Sequence, residues 1–211
     1  MLQHLEERLA LFEELHAEAQ HPHAVELALW FHDAVYDVHA HDNEARSAQW
    51  AVQALDAAGL DAHACRRVHD LIMATCHTAS PTSADAALLV DIDLAILGAA
   101  PPRFAEYQRQ IRAEYAWVAP DIYASKRTAI LEGFLGRRQL YSTPALHTRL
   151  EQRARANLMQ AIAAQPPSPS QSYRCLAICG SRRRAGAPHP EQPRPRSSVL
   201  TDYLKRKPCD T

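Results

Sequence analysis

Apolar side chains recur along this chain every three or four residues, the spacing that gathers them on one face of an α-helix. Leu2, Leu5, Leu9 and Phe12 form the first stripe, with Glu6, Glu7, Arg8 and Glu13 on the outer faces. Pro22 suits the first turn of a second helix, predicted to run through Trp30 and to carry His32 and Asp33. Asp42 or Asn43 is placed to cap a third, from Glu44 to Ala57, which Gly59 closes. A fourth is expected from about Asp61 to Cys76, with Val68, Leu71 and Ile72 inward. After a loop over Pro81 to Ala84, the segment from Asp85 to Leu97 is apolar enough for a buried helix, and periodicity alone leaves a short strand open there. Pro101-Pro102 breaks the chain ahead of a helix reaching about Val118, with Tyr107, Ile111 and Tyr115 on one face. Asp121 is placed to cap the next helix, in which Ile122, Ile130, Leu131, Phe134 and Leu135 face the core, and the last spans Pro144 to Ala163. Few segments alternate with the strand period and no internal repeat is visible, so the expected fold is an all-α bundle.

The pattern fails beyond residue 165. Residues 166–211 hold eight of the fourteen prolines and the run Arg182-Arg183-Arg184. Such a segment buries too little to offset its ordering entropy, and it is expected to be a disordered tail to a helical domain of residues 1–165. The tail is read as an appendage without an evolved partner, a frameshift being one origin for it. Its nine basic and three acidic residues give it +6, leaving fourteen basic against twenty-one acidic residues, or −7, in the body. An acidic body argues against a nucleic-acid surface spread over the domain. No apolar stretch approaches bilayer length and no signal-peptide order opens the chain, so no membrane is expected and the cytoplasm is the default address. Five scattered cysteines form no CxxC site, and six glycines leave no Walker loop, GxSxG elbow or dinucleotide fingerprint. NTPase, serine hydrolase and dehydrogenase readings lose weight accordingly.

Candidate chemistry begins at His32-Asp33, set in the apolar run from Leu27 to Tyr36. An ionised carboxylate buried there would be costly unless paired or bound to a cation. A divalent metal resolves the conflict, with imidazole and carboxylate as adjacent donors. A His-Asp pair that cross-links helices resolves it as well, and the doublet alone does not separate the two.

Further blocks follow in order: Asp42-Asn43-Glu44-Ala45-Arg46-Ser47, Ala74-Thr75-Cys76-His77-Thr78, Leu89-Val90-Asp91-Ile92-Asp93-Leu94 and Ile111-Arg112-Ala113-Glu114-Tyr115. Together with the doublet they resemble the HD superfamily of metal-dependent phosphohydrolases. Within it they look like a small bacterial branch of predicted phosphohydrolases, over roughly residues 1–163. The resemblance implies an HD-domain-like helical bundle and a divalent metal, Mn, Mg, Fe, Co, Ni or Zn, held by an early His, the doublet and a later Asp. It assigns His32, Asp33 and Asp93 as ligands. Asp91, two residues from Asp93, belongs on a different helix face. The bland reading of both acids is a cap and a solvated first-turn carboxylate. His77 matches a position where the branch has a histidine that binds metal or orients phosphate, while a His at a helix end also serves the dipole. Glu44 either acts near the metal or stabilises a helix start. Arg112 is the first choice among Arg46, Arg109, Lys126 and Arg127 to receive phosphoryl oxygens; its alternative is an ion pair with Glu106 or Glu114. His39 and His41 read as solvated loop residues, and His21, His23, His63 and His69 show no ligand spacing.

One departure stands out. The branch opens its first helix with a motif like Tyr-His-x-Leu-x-His, of which Met1-Leu2-Gln3-His4 matches only the end. The ligand position falls one residue before Met1, so the domain is expected either to be truncated at its N-terminus or to lack one ligand. His4, one turn further on, is a supporting group, an imperfect substitute or a surface residue. The implied function is hydrolysis of a phosphoester of a small molecule or nucleotide, with a small phosphorylated substrate as partner and nucleic acid not expected. The alternative is a catalytically silent module of the same fold that binds a nucleotide or a partner protein. Oligomeric state is not legible.

Overall fold

Among residues 2–165, which the computed structural model describes, the backbone is helix and turn throughout. The helices are α1 (Leu2–Leu15), α2 (Pro22–Phe31), α3 (Asn43–Ala57), α4 (Ala62–Ala74), α5 (Ala84–Asp93), α6 (Pro101–Glu114), α7 (Pro120–Leu135) and α8 (Pro144–Ala163). Short 3₁₀ turns follow α1 (His16–Glu18) and α5 (Leu94–Gly98). The strand left open for residues 85–97 is therefore a helix. The tail expected at 166–211 lies outside the described residues. Among those described, no helix is long and apolar enough to cross a membrane.

Local signals place most boundaries. Proline opens α2, α6, α7 and α8, where its missing N–H costs nothing. The Asp61 carboxylate accepts from the N–H groups of His63 (2.8 Å) and Ala64 (2.9 Å), and Ser83 Oγ accepts from Ala86 N–H (3.1 Å). Gly59, at φ 85°, turns the chain out of α3.

Four expectations need correction. The Asp42 side chain does not cap α3; Asn43 instead ties down the preceding loop, exchanging bonds with the backbone N–H (3.0 Å) and carbonyl (2.9 Å) of Asp37. Asp121 does not cap α7, which starts at Pro120 after Ala119, and Asp121 sits inside the first turn, where its charge suits the dipole. Helix α6 stops at Glu114 rather than near Val118, because the Arg112 guanidinium gathers the carbonyls of Tyr115 (2.6 Å) and Val118 (3.4 Å) into a turn. Helix α2 stops at Phe31, leaving His32 at the C-cap and Asp33 beyond it. There Ser47 of α3 fixes the departing chain: its Oγ accepts from Val35 N–H (3.0 Å) and donates to Val35 C=O (3.3 Å).

Helix α5 is the axis of the bundle. It packs on α1, α2 and α4, and residues 88–93 are all buried. Its continuation, the 3₁₀ turn, lies on α8. The carbonyls that this tighter winding leaves unpaired are met from outside: Tyr141 Oη donates to Leu94 C=O (3.0 Å), and Asn157 Nδ2 to those of Leu97 (2.8 Å) and Ala99 (2.9 Å). A Cβ at Gly98 would stand 2.7 Å from Leu150 Cβ, so only glycine allows this approach to α8. Asp93, the last residue of α5, is held from below by this packing.

Candidate active site

Four stretches deliver polar side chains to the end of α5. The close of α2 supplies His32 and Asp33, the turn after α4 supplies His77, α5 supplies Asp93, and α1 supplies His4 and Arg8. His32 is buried, and its Nδ1 lies 2.8 Å from Leu29 C=O, one turn back on its own helix. A carbonyl only accepts, so Nδ1 carries a proton and Nε2 is the ring atom turned toward the cluster. Nε2 lies 3.1 Å from Asp33 Oδ2 and 3.8 Å from Asp93 Oδ1.

The two carboxylates are kept ionised. Burial pushes Asp33 upward, but the adjoining His32 ring and the Arg8 guanidinium outweigh it and hold the group down at about 2. Asp33 nevertheless keeps nearly half of its side chain (45%) exposed, so the cluster is reachable from solvent. Asp93 is buried, which also pushes it upward; Arg8 and His77 more than compensate and hold it well below the ordinary carboxylate range. Its Oδ2 accepts from His77 Nε2 at 2.9 Å, so each Asp93 oxygen has a separate partner.

His77 adopts φ 55°, the left-handed region that non-glycine residues enter at a cost of about 1–2 kcal/mol. Among the described residues no other non-glycine does so. Arg137 holds the strained unit by donating to His77 C=O (3.2 Å), and Phe134 sets its ring edge-on at 6.2 Å. Backbone strain retained in this way clusters at functional sites.

Arg8 is the residue that sequence reasoning missed. It was read as an outer-face charge on α1, yet it is 7% exposed. One Nη lies 2.6 Å from His32 Nε2 and 2.9 Å from Asp33 Oδ2, and the other donates to Asp93 Oδ1. Its one sequence signal is position: it lies one turn beyond His4, on the face that His4 shares. His4 is partly buried, with its ring 6.2 Å from that of Tyr107. Burial and then the Arg8 charge drive His4 down to about 4, so it is a neutral ring near pH 7 and not a surface histidine.

The cluster lies between two clefts. One, of about 280 Å³, runs from Asp93, His77 and Arg8 along an aromatic wall of Tyr107, Tyr115, Tyr123 and Phe134 to Lys126 and Arg127. The other, of about 370 Å³, reaches His32 and Asp33 past Trp30 and Tyr36. Arg127 is buried; it donates to Gln108 Oε1 and lies 5.6 Å from the Tyr107 ring centre, while its Nε has no protein partner.

The other candidates are placed elsewhere. Arg112 is spent on the turn after α6 and stacks on Tyr123 at 4.6 Å; it pairs with neither Glu106 nor Glu114 and lines neither cleft. Glu44 sits in the first turn of α3, outside both clefts, where its charge complements the helix dipole. Arg46 and Arg109 are exposed. Asp91 takes neither bland role offered for it: from the last turn of α5 it accepts from Ser142 N–H (2.9 Å), Thr143 N–H (2.6 Å) and Thr143 Oγ1 (2.7 Å), anchoring across the core the segment that leads into α8. His39 is exposed, as expected of a loop residue, and its ring lies 4.5 Å from that of Trp117. His21 pairs with the buried Asp85 (2.8 Å) at the opposite end of α5.

In chemical terms, one imidazole nitrogen has two ionised carboxylates at 3.1 and 3.8 Å, with the ring oriented by a carbonyl. This donor set suits a divalent cation of the Mg-to-Zn range. It equally suits the guanidinium that Arg8 contributes. No protein-family model, curated protein or solved structure matches the chain.

Proposed function

We propose that the chain is an HD-type phosphohydrolase that hydrolyses a phosphoester of a small molecule or nucleotide, with a divalent cation held by His32, Asp33 and Asp93. One observation carries the reading. Side chains from three separate sequence blocks, which the resemblance alone had grouped, meet within 4 Å, and two of them, His77 and Asp93, line a cleft with two cationic side chains on its wall. A His-Asp pair serving only to cross-link helices would need neither a second buried carboxylate nor a cleft.

A divalent cation at these donors supplies Lewis acidity toward a phosphoryl oxygen and lowers the pKa of its water. The chain's own groups do the rest. Leu29 C=O holds the His32 ring with Nε2 turned toward the cluster. Asp93 uses one oxygen toward the cluster and the other to orient His77, which lines the cleft beside it. Lys126 and Arg127 neutralise the phosphoryl oxygens, in the role first given to Arg112. The tyrosine wall takes the organic part of the ester and excludes water. A cytoplasmic address belongs to the same proposal.

The silent-module reading has its own observation, the Arg8 guanidinium bonded to the same donors. Phosphate release from a panel of monoesters, p-nitrophenyl phosphate and nucleoside monophosphates included, separates the two. Hydrolysis that requires one of Mn, Mg, Fe, Co, Ni or Zn and disappears in His32→Ala and Asp93→Asn supports the enzyme. Ligand-induced thermal stabilisation without release under any metal supports the silent module.

A further inference from the structure

The cluster already holds a positive charge. A guanidinium stays protonated at any pH a folded protein meets, and that of Arg8 reaches His32 Nε2, Asp33 Oδ2 and Asp93 Oδ1 together. These are the same three atoms that the proposed cation would use. A lone pair engaged by an N–H is not available to a metal, and a +1 fork between two carboxylates repels an incoming dication.

We infer that Arg8 is the resident counter-cation of this site and that divalent ions must compete with its guanidinium for His32, Asp33 and Asp93. The inference rests on the reading of the cluster as a metal site. Two features favour it. The two carboxylates approach the same His32 nitrogen, at 3.1 and 3.8 Å, and like charges so close need a cation between them. Arg8 is gripped through its Nη atoms alone, while its buried Nε has no partner, so the fork is drawn in by the carboxylates and not by its own helix. In the metal-free chain Arg8 keeps the donors ionised and in place, and the apparent metal affinity is reduced by the fraction of molecules in which the guanidinium is seated.

The test is a Mn²⁺ titration of the full chain, followed calorimetrically and by thermal melting, for wild type, Arg8→Gln and Arg8→Lys. Arg8→Gln is expected to bind Mn²⁺ at least about tenfold more tightly than wild type. Without metal it melts below wild type, and Mn²⁺ restores it. Arg8→Lys, which keeps a charge but cannot fork, falls between the two and serves if Arg8→Gln does not fold without metal. Adding Asp93→Asn to either variant abolishes the gain, which places the ion on these donors. Equal affinity in wild type and variants, or weaker binding in the variants, overturns the competition and leaves the metal reading intact. No Mn²⁺ binding by any of the chains overturns the metal reading and this inference with it.

Discussion

Asp91 and Asp93 stand two residues apart at the end of α5 and serve different parts of the molecule. Asp91 accepts three hydrogen bonds from Ser142 and Thr143 at the start of α8, whereas Asp93 accepts from Arg8 and His77 in the cluster. Two residues advance a helix by about 200°, so the pair faces opposite sides by construction. Asp91→Ala is expected to destabilise the fold by about 3–5 kcal/mol, through three lost hydrogen bonds and stranded buried N–H groups. Asp93→Asn is expected to abolish phosphate release while the chain stays folded. Urea denaturation and the phosphate assay on both variants check the division; similar profiles for the two would contradict it.

Gly98 sets the height of Asp93. A methyl group there meets Leu150 Cβ at 2.7 Å and Tyr141 Oη at 3.1 Å, and the backbone of Leu150 blocks retreat. Gly98→Ala should cost about 1–3 kcal/mol by overpacking, read from the denaturation midpoint. A neutral result would mean that the contact between the 3₁₀ turn and α8 is looser than described.

Acid should loosen the site in a definite order. His4 has an ordinary value of 6.5 and is lowered in the fold to about 4. Between these the unfolded chain takes up a proton that the folded chain refuses, so stability falls as pH drops from about 6.5 to 4, by up to about 3 kcal/mol. Asp33, lowered from 3.8 to about 2, contributes stability that is present above 3.8 and lost only below it. Denaturation midpoints at pH 7 and 4.5 should therefore differ in wild type and converge in His4→Gln. Equal differences in the two chains would rule out His4 as the source.

Lys126 and Arg127 line the cleft without touching the His32–Asp33–Asp93 cluster. Lys126→Ala should raise KM for a phosphomonoester about tenfold, or about 1.4 kcal/mol, with little change in melting temperature. A fall in kcat at constant KM would place Lys126 at the reacting bond instead.

Much of this was legible in the residues. Helical spacing, the N-terminal prolines and Gly59 located every helix but α5, because those signals act within a few residues; for the uniformly apolar α5, periodicity left a strand open. The stop of α2 before His32 was not legible: it depends on Ser47, twelve residues from Val35, and on the pairing of α2 with α3. Asp93 was separable from Asp91 by helix geometry, although the partner of Asp91 lies 52 residues away. Arg112 and Arg8 were misread for one reason. Each was judged by its own helix face, while the partners that decide its role are a turn of backbone in one case and acids 25 and 85 residues distant in the other. A long flexible cation is the side chain whose destination local sequence constrains least.

The central claim is that His32, Asp33 and Asp93 form one cation site. Its most direct test is the loss of the free Mn²⁺ signal in electron paramagnetic resonance as the full chain is titrated. One ion per chain, with binding abolished by His32→Ala and by Asp93→Asn but unaffected by Asp91→Asn, is the predicted result. Binding that survives both cluster substitutions, or no binding at millimolar Mn²⁺ even after Arg8→Gln, would contradict it.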